Sequence, residues 1–70
     1  MFNSEAFRRY MYGCNVSQAE LVQKTDLSRA YISALVNGKV ADPSLNKARL
    51  VAHALGLTID SFYDSFMDGD

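Results

Sequence analysis

The sequence predicts an all-α protein of five short helices, and three observations support this fold class. Each predicted helix follows a serine or threonine whose side-chain oxygen can accept a hydrogen bond from a free amide of the first turn. After each of these residues, apolar side chains recur every three or four positions, as on the buried face of a helix. The only strand-like alternation is too short and is crossed by helix caps. The five predicted N-caps are Ser4, Ser17, Ser28, Ser44 and Thr58.

The first three helices are predicted over about residues 4–12, 18–24 and 29–36. Gly13 ends the first helix, and Asn37-Gly38 ends the third, because these residue types accept the left-handed conformation that commonly follows a helix. The side chains predicted to face inward are Phe7, Met11, Ala19, Leu21, Val22, Ile32 and Leu35.

The last two helices are predicted on either side of Gly56. The polar link over residues 38–43 ends in Asp-Pro, which prevents a helix from continuing through it. Leu50 and Ala54 lie almost opposite the apolar stripe of the fourth helix, and residues 67–70 are expected to fray. That stripe consists of Leu45, Ala48, Val51, Ala52 and Leu55. In the fifth helix, over about residues 59–66, Ile59, Phe62, Tyr63 and Phe66 face one direction.

The chain of 70 residues is long enough for one domain with a modest core, so oligomerisation is a reasonable expectation. No apolar run reaches the ~18–20 residues of a membrane span, and residues 1–14 lack the pattern of a signal peptide. The single cysteine, Cys14, cannot form an internal disulfide. These features predict a cytoplasmic protein, with Cys14 as a small, partly buried residue after the first helix.

The charges are unevenly distributed along the chain. The net charge of −1 and the pI near 5.6 argue against a nucleic-acid-binding protein, which usually has an excess of basic residues. However, residues 1–57 hold all seven lysines and arginines against four acids, a net charge of +3. Residues 58–70 hold four aspartates and no base, a net charge of −4. A mildly basic body with an acidic end remains compatible with DNA binding.

Residues 17–38 contain two predicted helices joined by a very short turn. Ser17 and Glu20 fit a capping box, in which the hydroxyl and the carboxylate each accept a hydrogen bond from a free amide. The turn of about three residues has the length of a helix-turn-helix joint, and Asp26 within it tolerates a left-handed backbone. The second helix begins abruptly with Ser28-Arg29 and has small outer residues, so it is suited to approach DNA closely.

Several motifs resemble the Cro/C1-type (XRE) helix-turn-helix family of bacterial and phage transcriptional regulators. The resemblance covers about residues 5–66 and implies a compact five-helix, lambda-repressor-like DNA-binding domain. On this interpretation residues 1–70 form a single domain, with the motif over 17–38 and an aromatic, acidic C-terminal segment over 58–70. The motifs are Gln18-Ala19-Glu20-Leu21, Leu27-Ser28-Arg29, Ile32-Ser33, Leu35, Asn37-Gly38-Lys39, Pro43-Ser44-Leu45 and Ala54-Leu55-Gly56-Leu57.

The resemblance implies that the second helix of the motif lies in the major groove of double-stranded DNA. The family's glutamine at the position of Gln18 binds a phosphate and braces the second helix; the alternative is a solvated helix start. Ser28 is a cap that can also serve a phosphate site. Arg29 can donate two hydrogen bonds to guanine, and its alternatives are a phosphate contact or a solvated charge.

Five further positions complete the predicted DNA-binding set. Small side chains at Ala30 and Ser33 let the helix enter the groove, although alanine is also simply a good helix former. Tyr31 either binds a phosphate through its hydroxyl or packs over the turn to the second helix. Asn37 is first a helix stop, and Lys39 contacts phosphate or attracts DNA at longer range. Ser44, Asn46 and Lys47 offer a further phosphate clamp.

Three side chains outside the motif are not included in the DNA-binding set. Arg8 and Arg9 are adjacent, so they point in different directions. One of them is expected to pair with Glu5 or another acid, and the alternative is a phosphate contact. His53 is expected to be an exposed spectator, since one histidine without nearby ligand partners does not make a metal site. No catalytic residue, metal site or cofactor is predicted.

The C-terminal segment is predicted to form a homodimer interface through Tyr63, Phe66 and Met67. The alternative is that these side chains fold back onto the first helix beside Phe7. The leading hypothesis is a DNA-binding regulator, typically a repressor, that binds a pseudo-palindromic operator as a dimer in the cytoplasm, associated with the nucleoid. The alternative is an antitoxin or protein-interaction module on the same fold, with a toxin or other protein as its partner.

Overall fold

Five α-helices make up most of residues 1–67, the part of the chain that the computed structural model describes. They are α1 (Ser4–Gly13), α2 (Gln18–Thr25), α3 (Arg29–Val36), α4 (Leu45–Ala54) and α5 (Ile59–Phe66). The described residues contain no extended strand pair, only an isolated antiparallel bridge between Phe2 and Met67. Helix α2 packs on α3 and α4, α1 packs on α3 and α5, and α4 packs on α5. The predicted all-α fold of five helices is confirmed.

Local capping explains where the helices begin. Ser17, Ser28, Ser44 and Thr58 each accept a hydrogen bond from the amide three residues later, as predicted. The prediction for α1 was wrong by one residue, because Asn3 is the cap and its side chain accepts from the Ala6 amide at 3.1 Å. Asparagine caps helices as well as serine does, so Ser4 is free to enter the first turn. Gly13 is the last helical residue, and Cys14 follows as the C-cap.

The core lies between the five helices, and each helix contributes buried side chains to it. Most of the predicted inward positions are buried, including Phe7, Leu21, Ile32 and Val51. Ala19 is exposed, contrary to prediction, because α2 buries Leu21 and Thr25, one turn apart, on its inner face. Leu45 is 52% exposed, since the buried stripe of α4 begins one turn later. Half-buried residues at the margin of the core are Val22, Ala54, Leu55 and Ile59.

The N-terminal segment completes the core in a way that the sequence did not indicate. Phe2 is only 6% exposed and its ring centroid lies 5.2 Å from that of Phe7. The Phe2 amide donates to the Ala41 carbonyl at 2.6 Å, and the Asn3 amide donates to the Phe66 carbonyl at 2.6 Å. These bonds tie the α3–α4 link and the end of α5 to one short segment.

The end of α5 is held inside the monomer. Phe66 is 2% exposed, and its ring lies 5.3 Å from Phe7 and 5.6 Å from Tyr10. The alternative in which this residue folds back beside Phe7 is therefore correct, and Phe66 is not available to a partner subunit. Met67 is half-buried and bridged to Phe2 rather than frayed. The predicted fraying of residues 68–70 concerns positions outside the described residues.

Cys14 is exposed rather than partly buried, because it follows the last turn of α1. A side-chain hydrogen bond with Cys14 is the main reason why the pKa of Tyr10 is raised above its ordinary value. Within residues 1–67, no helix combines the length and the apolar character that crossing a membrane requires.

Replacing Gly38 with alanine should lower the free energy of unfolding by about 1–2 kcal/mol. Gly38 has a φ of 77°, a conformation that costs other residues energy, and a Cβ there would lie 2.9 Å from Oγ of Ser4. Thermal unfolding followed by circular dichroism measures the change. The matched control is Gly13→Ala, where the new Cβ meets nothing within 4 Å. This control should be neutral or stabilise by up to about 1 kcal/mol, and an equal loss in both variants would contradict the argument.

Candidate nucleic-acid interface

Helices α2 and α3 form the predicted motif, joined through residues 26–28. Asp26 has φ 62° and ψ 16°, so it adopts the left-handed conformation expected of it. Thr25, which the sequence did not single out, holds this turn from inside. Its buried hydroxyl donates to the Leu21 carbonyl at 2.6 Å and accepts from the Leu27 amide at 3.2 Å. The angle between the two helices therefore depends on a satisfied polar side chain in the core.

The two faces of α3 differ sharply. Ile32, Leu35 and Val36 are buried and anchor the helix to α1 and α2. On the other side, Arg29 and Ala30 are exposed, and Ser33 and Ala34 are half-buried. Neither ion pair formed among residues 1–67 involves Arg29. The first turn of α3 thus presents one long cationic side chain beside small ones.

The helix starts near this face are capped in slightly different ways. Gln18 is exposed in the first turn of α2, directly after the Ser17 cap. Only half of the predicted capping box is present, because the Glu20 carboxylate lies 3.1 Å from Nζ of Lys24 instead. At the start of α3, the exposed Ser28 accepts from the Tyr31 amide at 3.1 Å. A hydroxyl that already accepts can still donate its own hydrogen to an anion.

The end of α3 is closed by two side-chain contacts. The side-chain nitrogen Nδ2 of Asn37 donates to the Ser33 carbonyl at 2.8 Å and to the Ser33 hydroxyl at 3.2 Å. Arg8 donates from Nη1 to the Val36 carbonyl at 2.7 Å, so a side chain of α1 caps the last turn of α3. Sequence analysis missed this second contact because the two residues lie 28 positions apart. Lys39 is exposed just beyond this end of the helix.

The remaining predicted contact residue, Tyr31, has a different environment from its neighbours. Its ring is half-buried and its hydroxyl is enclosed, with no hydrogen-bond partner among the described residues. Burial also raises the pKa of Tyr31 above its ordinary value. Nζ of Lys47 lies 4.4 Å from the ring centroid. The predicted phosphate contact through the Tyr31 hydroxyl is not possible in this arrangement, whereas the packing alternative is consistent with it.

The exposed aspartates of α5 lie on a helix that does not pack on the motif. Arg29, Lys39 and Lys47 are exposed on or beside α3 and at the start of α4. Asp60 and Asp64 are exposed on α5, which packs on α1 and α4 but not on α2 or α3. The acidic side chains of α5 therefore lie on a helix that does not contact the motif, although Asp26 is exposed within the motif itself. On α1, Arg9 pairs with Glu5 at 3.2 Å, as predicted for one of the two arginines.

Outside this face, residues 1–67 contain no group of three or more histidine, cysteine, aspartate or glutamate side chains that could hold a metal ion. His53 is exposed on α4, as predicted. The candidate site among the described residues is therefore the surface around α3.

Comparison with known proteins agrees with this geometry. A family model described as helix-turn-helix matches residues 8–62, which include both helices of the motif and most of the core. No curated protein and no solved structure matched the chain. Members of the matched family are DNA-binding regulators rather than enzymes. Because the match spans well over half of the chain, the protein belongs to the Cro/C1-type helix-turn-helix family.

Proposed function

We propose that this protein is a transcriptional repressor that binds a pseudo-palindromic operator as a homodimer. The observation that carries the proposal is the first turn of α3, where exposed Arg29 and Ala30 stand beside half-buried Ser33. A helix enters the major groove with its N-terminal residues nearest the base edges. Small neighbours allow close approach, and one long side chain can then reach a base.

Arg29 is the residue we assign to base recognition. A guanidinium donates two parallel hydrogen bonds to O6 and N7 of guanine, a geometry that no other base pair offers in the same place. Ala30 is assigned to contact with a thymine methyl group, because its methyl is exposed one residue further along the helix. The shortage of other long polar side chains on this face makes the Arg29 contact dominant.

Phosphate contacts are assigned to the margins of the same face. Gln18 and Ser28 lie at the starts of α2 and α3, and Lys39 lies just beyond the end of α3. Such contacts fix the orientation of the protein on the duplex without reporting sequence. Asn37 and Ser33 already bond to each other, so their main role is to close the helix, and any DNA contact comes from their remaining donors and acceptors.

Dimerisation is assigned to the exposed apolar side chains of α4 and α5. Tyr63 on α5 is 37% exposed and Leu50 on α4 is also exposed, and the two helices pack on each other. Met67 is half-buried against the core, so only the exposed part of its side chain can contribute. A two-fold pair of this kind presents two recognition helices to half-sites about 34 Å apart. Two modest sets of phosphate contacts then act together.

Selection from a random-sequence duplex library tests the proposal. We expect the enriched sequences to be inverted repeats with half-site centres about ten base pairs apart. Sedimentation should show two chains per enriched duplex. Tyr63→Glu should weaken self-association and operator binding together, whereas the matched variant Tyr12→Glu, at a 92% exposed position on α1, should change neither. Enrichment of single half-sites bound by one chain would contradict the dimer.

A protein-interaction module, such as an antitoxin, is the second candidate. Its supporting observation is the sparse outer face of α3, where Ala30 and Ala34 stand in place of long polar residues. The same selection separates the two candidates, because a module of this kind enriches no sequence at any salt concentration. Its toxin or other partner would then be sought by co-purification with the products of adjacent genes.

A further inference from the structure

A cation–π contact joins two helices of the candidate interface that do not otherwise pack on each other. Tyr31 lies in the first turn of α3 and Lys47 in the first turn of α4. These helices each pack on α2 but not on one another. Nζ of Lys47 lies 4.4 Å from the centre of the Tyr31 ring, within the range of a favourable cation–π interaction. The contact places a positive charge beside the start of the recognition helix.

The Tyr31 ring is held in place from its inner end. Its hydroxyl is enclosed and has no hydrogen-bond partner among the described residues, so the hydroxyl itself does not account for the orientation of the ring. Because burial raises the pKa of this phenol, the ring stays neutral under ordinary conditions. Packing thus fixes the ring beside the start of α3, with one face open to the Lys47 ammonium group.

Lys47 keeps its charge available for a ligand. Both ion pairs among residues 1–67 use other cations, Arg9 and Lys24, and none involves Lys47. An aromatic ring orients an ammonium group without neutralising it, whereas a carboxylate would cancel its charge. A lysine side chain free in solvent must lose the freedom of four rotatable bonds when it binds a phosphate. Contact with the ring removes part of that freedom beforehand.

We propose that Tyr31 is a positioning residue that holds Lys47 ready to bind a phosphate of the DNA backbone beside the start of α3. The inference rests on the proposed DNA-binding function and adds to it a phosphate contact built by two helices. Tyr31 itself donates no hydrogen bond to the DNA. The side chain that meets the phosphate is Lys47.

The test is the salt dependence of binding to a mixed-sequence duplex of about 20 base pairs, since phosphate contacts do not depend on sequence. Lys47→Gln and Tyr31→Leu should each weaken binding roughly five- to tenfold at low salt and reduce the salt slope by about 1. The double variant should lose no more than either single one. Tyr31→Phe keeps the ring, so it should retain the wild-type slope.

Arg49→Gln is the matched control, because Arg49 is exposed on the same helix two positions later and therefore points to another side. It removes the same charge and should leave the salt slope unchanged. A fold check by circular dichroism accompanies each variant. Tyr31→Phe removes a hydroxyl that is buried without a hydrogen-bond partner among the described residues, so the Tm of this variant should not fall below that of the wild type.

Each of the following outcomes would overturn the inference. If Tyr31→Leu weakened DNA binding but kept the wild-type salt slope, the role of Tyr31 would be purely structural. If Lys47→Gln and Arg49→Gln changed the affinity and the salt slope equally, Lys47 would make no specific phosphate contact. Wild-type Lys47 Hε resonances without a ring-current shift, or with one that persists in Tyr31→Leu, would disprove the contact. The NMR measurement needs no DNA. A wild type that binds no duplex would overturn the proposed function as well.

Discussion

Arg29→Ala should abolish sequence-specific binding while leaving the fold intact. A bidentate arginine–guanine pair contributes about 1–3 kcal/mol of discrimination, and a dimer loses it in both half-sites, so about 2–6 kcal/mol of specific binding should disappear. The loss should be this complete because the other exposed side chains of the first turn of α3 are small. Fluorescence anisotropy with a selected operator and with a mixed-sequence duplex measures the two affinities separately.

Arg9→Ala is the control for this variant. Arg9 is also highly exposed, but it lies on α1 and pairs with Glu5 at 3.2 Å. Loss of Arg9 lowers the total positive charge of the protein and nothing else at the interface. It should therefore reduce the affinity for the operator and for the mixed-sequence duplex by the same small factor. If Arg29→Ala weakened binding to both duplexes by the same factor, Arg29 would be a phosphate contact and another residue would have to recognise the bases.

Phe2→Ala should strongly destabilise the fold, although Phe2 lies next to the N-terminus. Phe2 is almost fully buried, and its ring packs 5.2 Å from Phe7 and 6.0 Å from Phe62. Removing a buried phenylalanine costs about 3–5 kcal/mol, while a domain of this size has a total stability of roughly 4–10 kcal/mol. The Tm should therefore fall by at least about 12 °C, and part of the population should unfold at ordinary temperature. Thermal and urea unfolding measure both effects.

Tyr12→Ala is the matched control, since it removes another aromatic ring near the N-terminus from a 92% exposed position. It should change the free energy of unfolding by less than about 0.5 kcal/mol. A loss of under about 1 kcal/mol in Phe2→Ala would show that the N-terminal segment is not part of the cooperative core.

Phe2→Ala also connects stability with the candidate interface. The backbone of Phe2 bonds to Ala41 in the link that follows α3, and the backbone of Asn3 bonds to the end of α5. Arg8 of α1 caps the last turn of α3. Because α1 and the segment before it hold the end of the recognition helix, loosening them should weaken DNA binding even though no DNA-contacting residue changes.

The sequence by itself determined those features that depend on neighbouring residues. The starts of α3 and α5 were predicted at the residues where they lie, because Ser28 and Thr58 accept hydrogen bonds from amides three positions later. The left-handed turn at Asp26 and the stop at Gly38 followed from backbone preferences of single residues. The motif and the family were predicted from the order and spacing of these local features, which can be read directly from the sequence.

Only the tertiary structure decided the features that join distant residues. Phe2 lies in the core, and Phe66 is buried instead of lying in the predicted dimer interface, because both rings pack against Phe7. No local sequence pattern specifies these contacts. Ala19 and Leu45 were misplaced because helical periodicity does not specify where a neighbouring helix begins and ends. The contact between Lys47 and the Tyr31 ring could be seen only in the structure, because α2 brings α4 beside α3. Packing is a property of the whole chain, so it selects which of the locally allowed faces is buried and which remains to meet a partner.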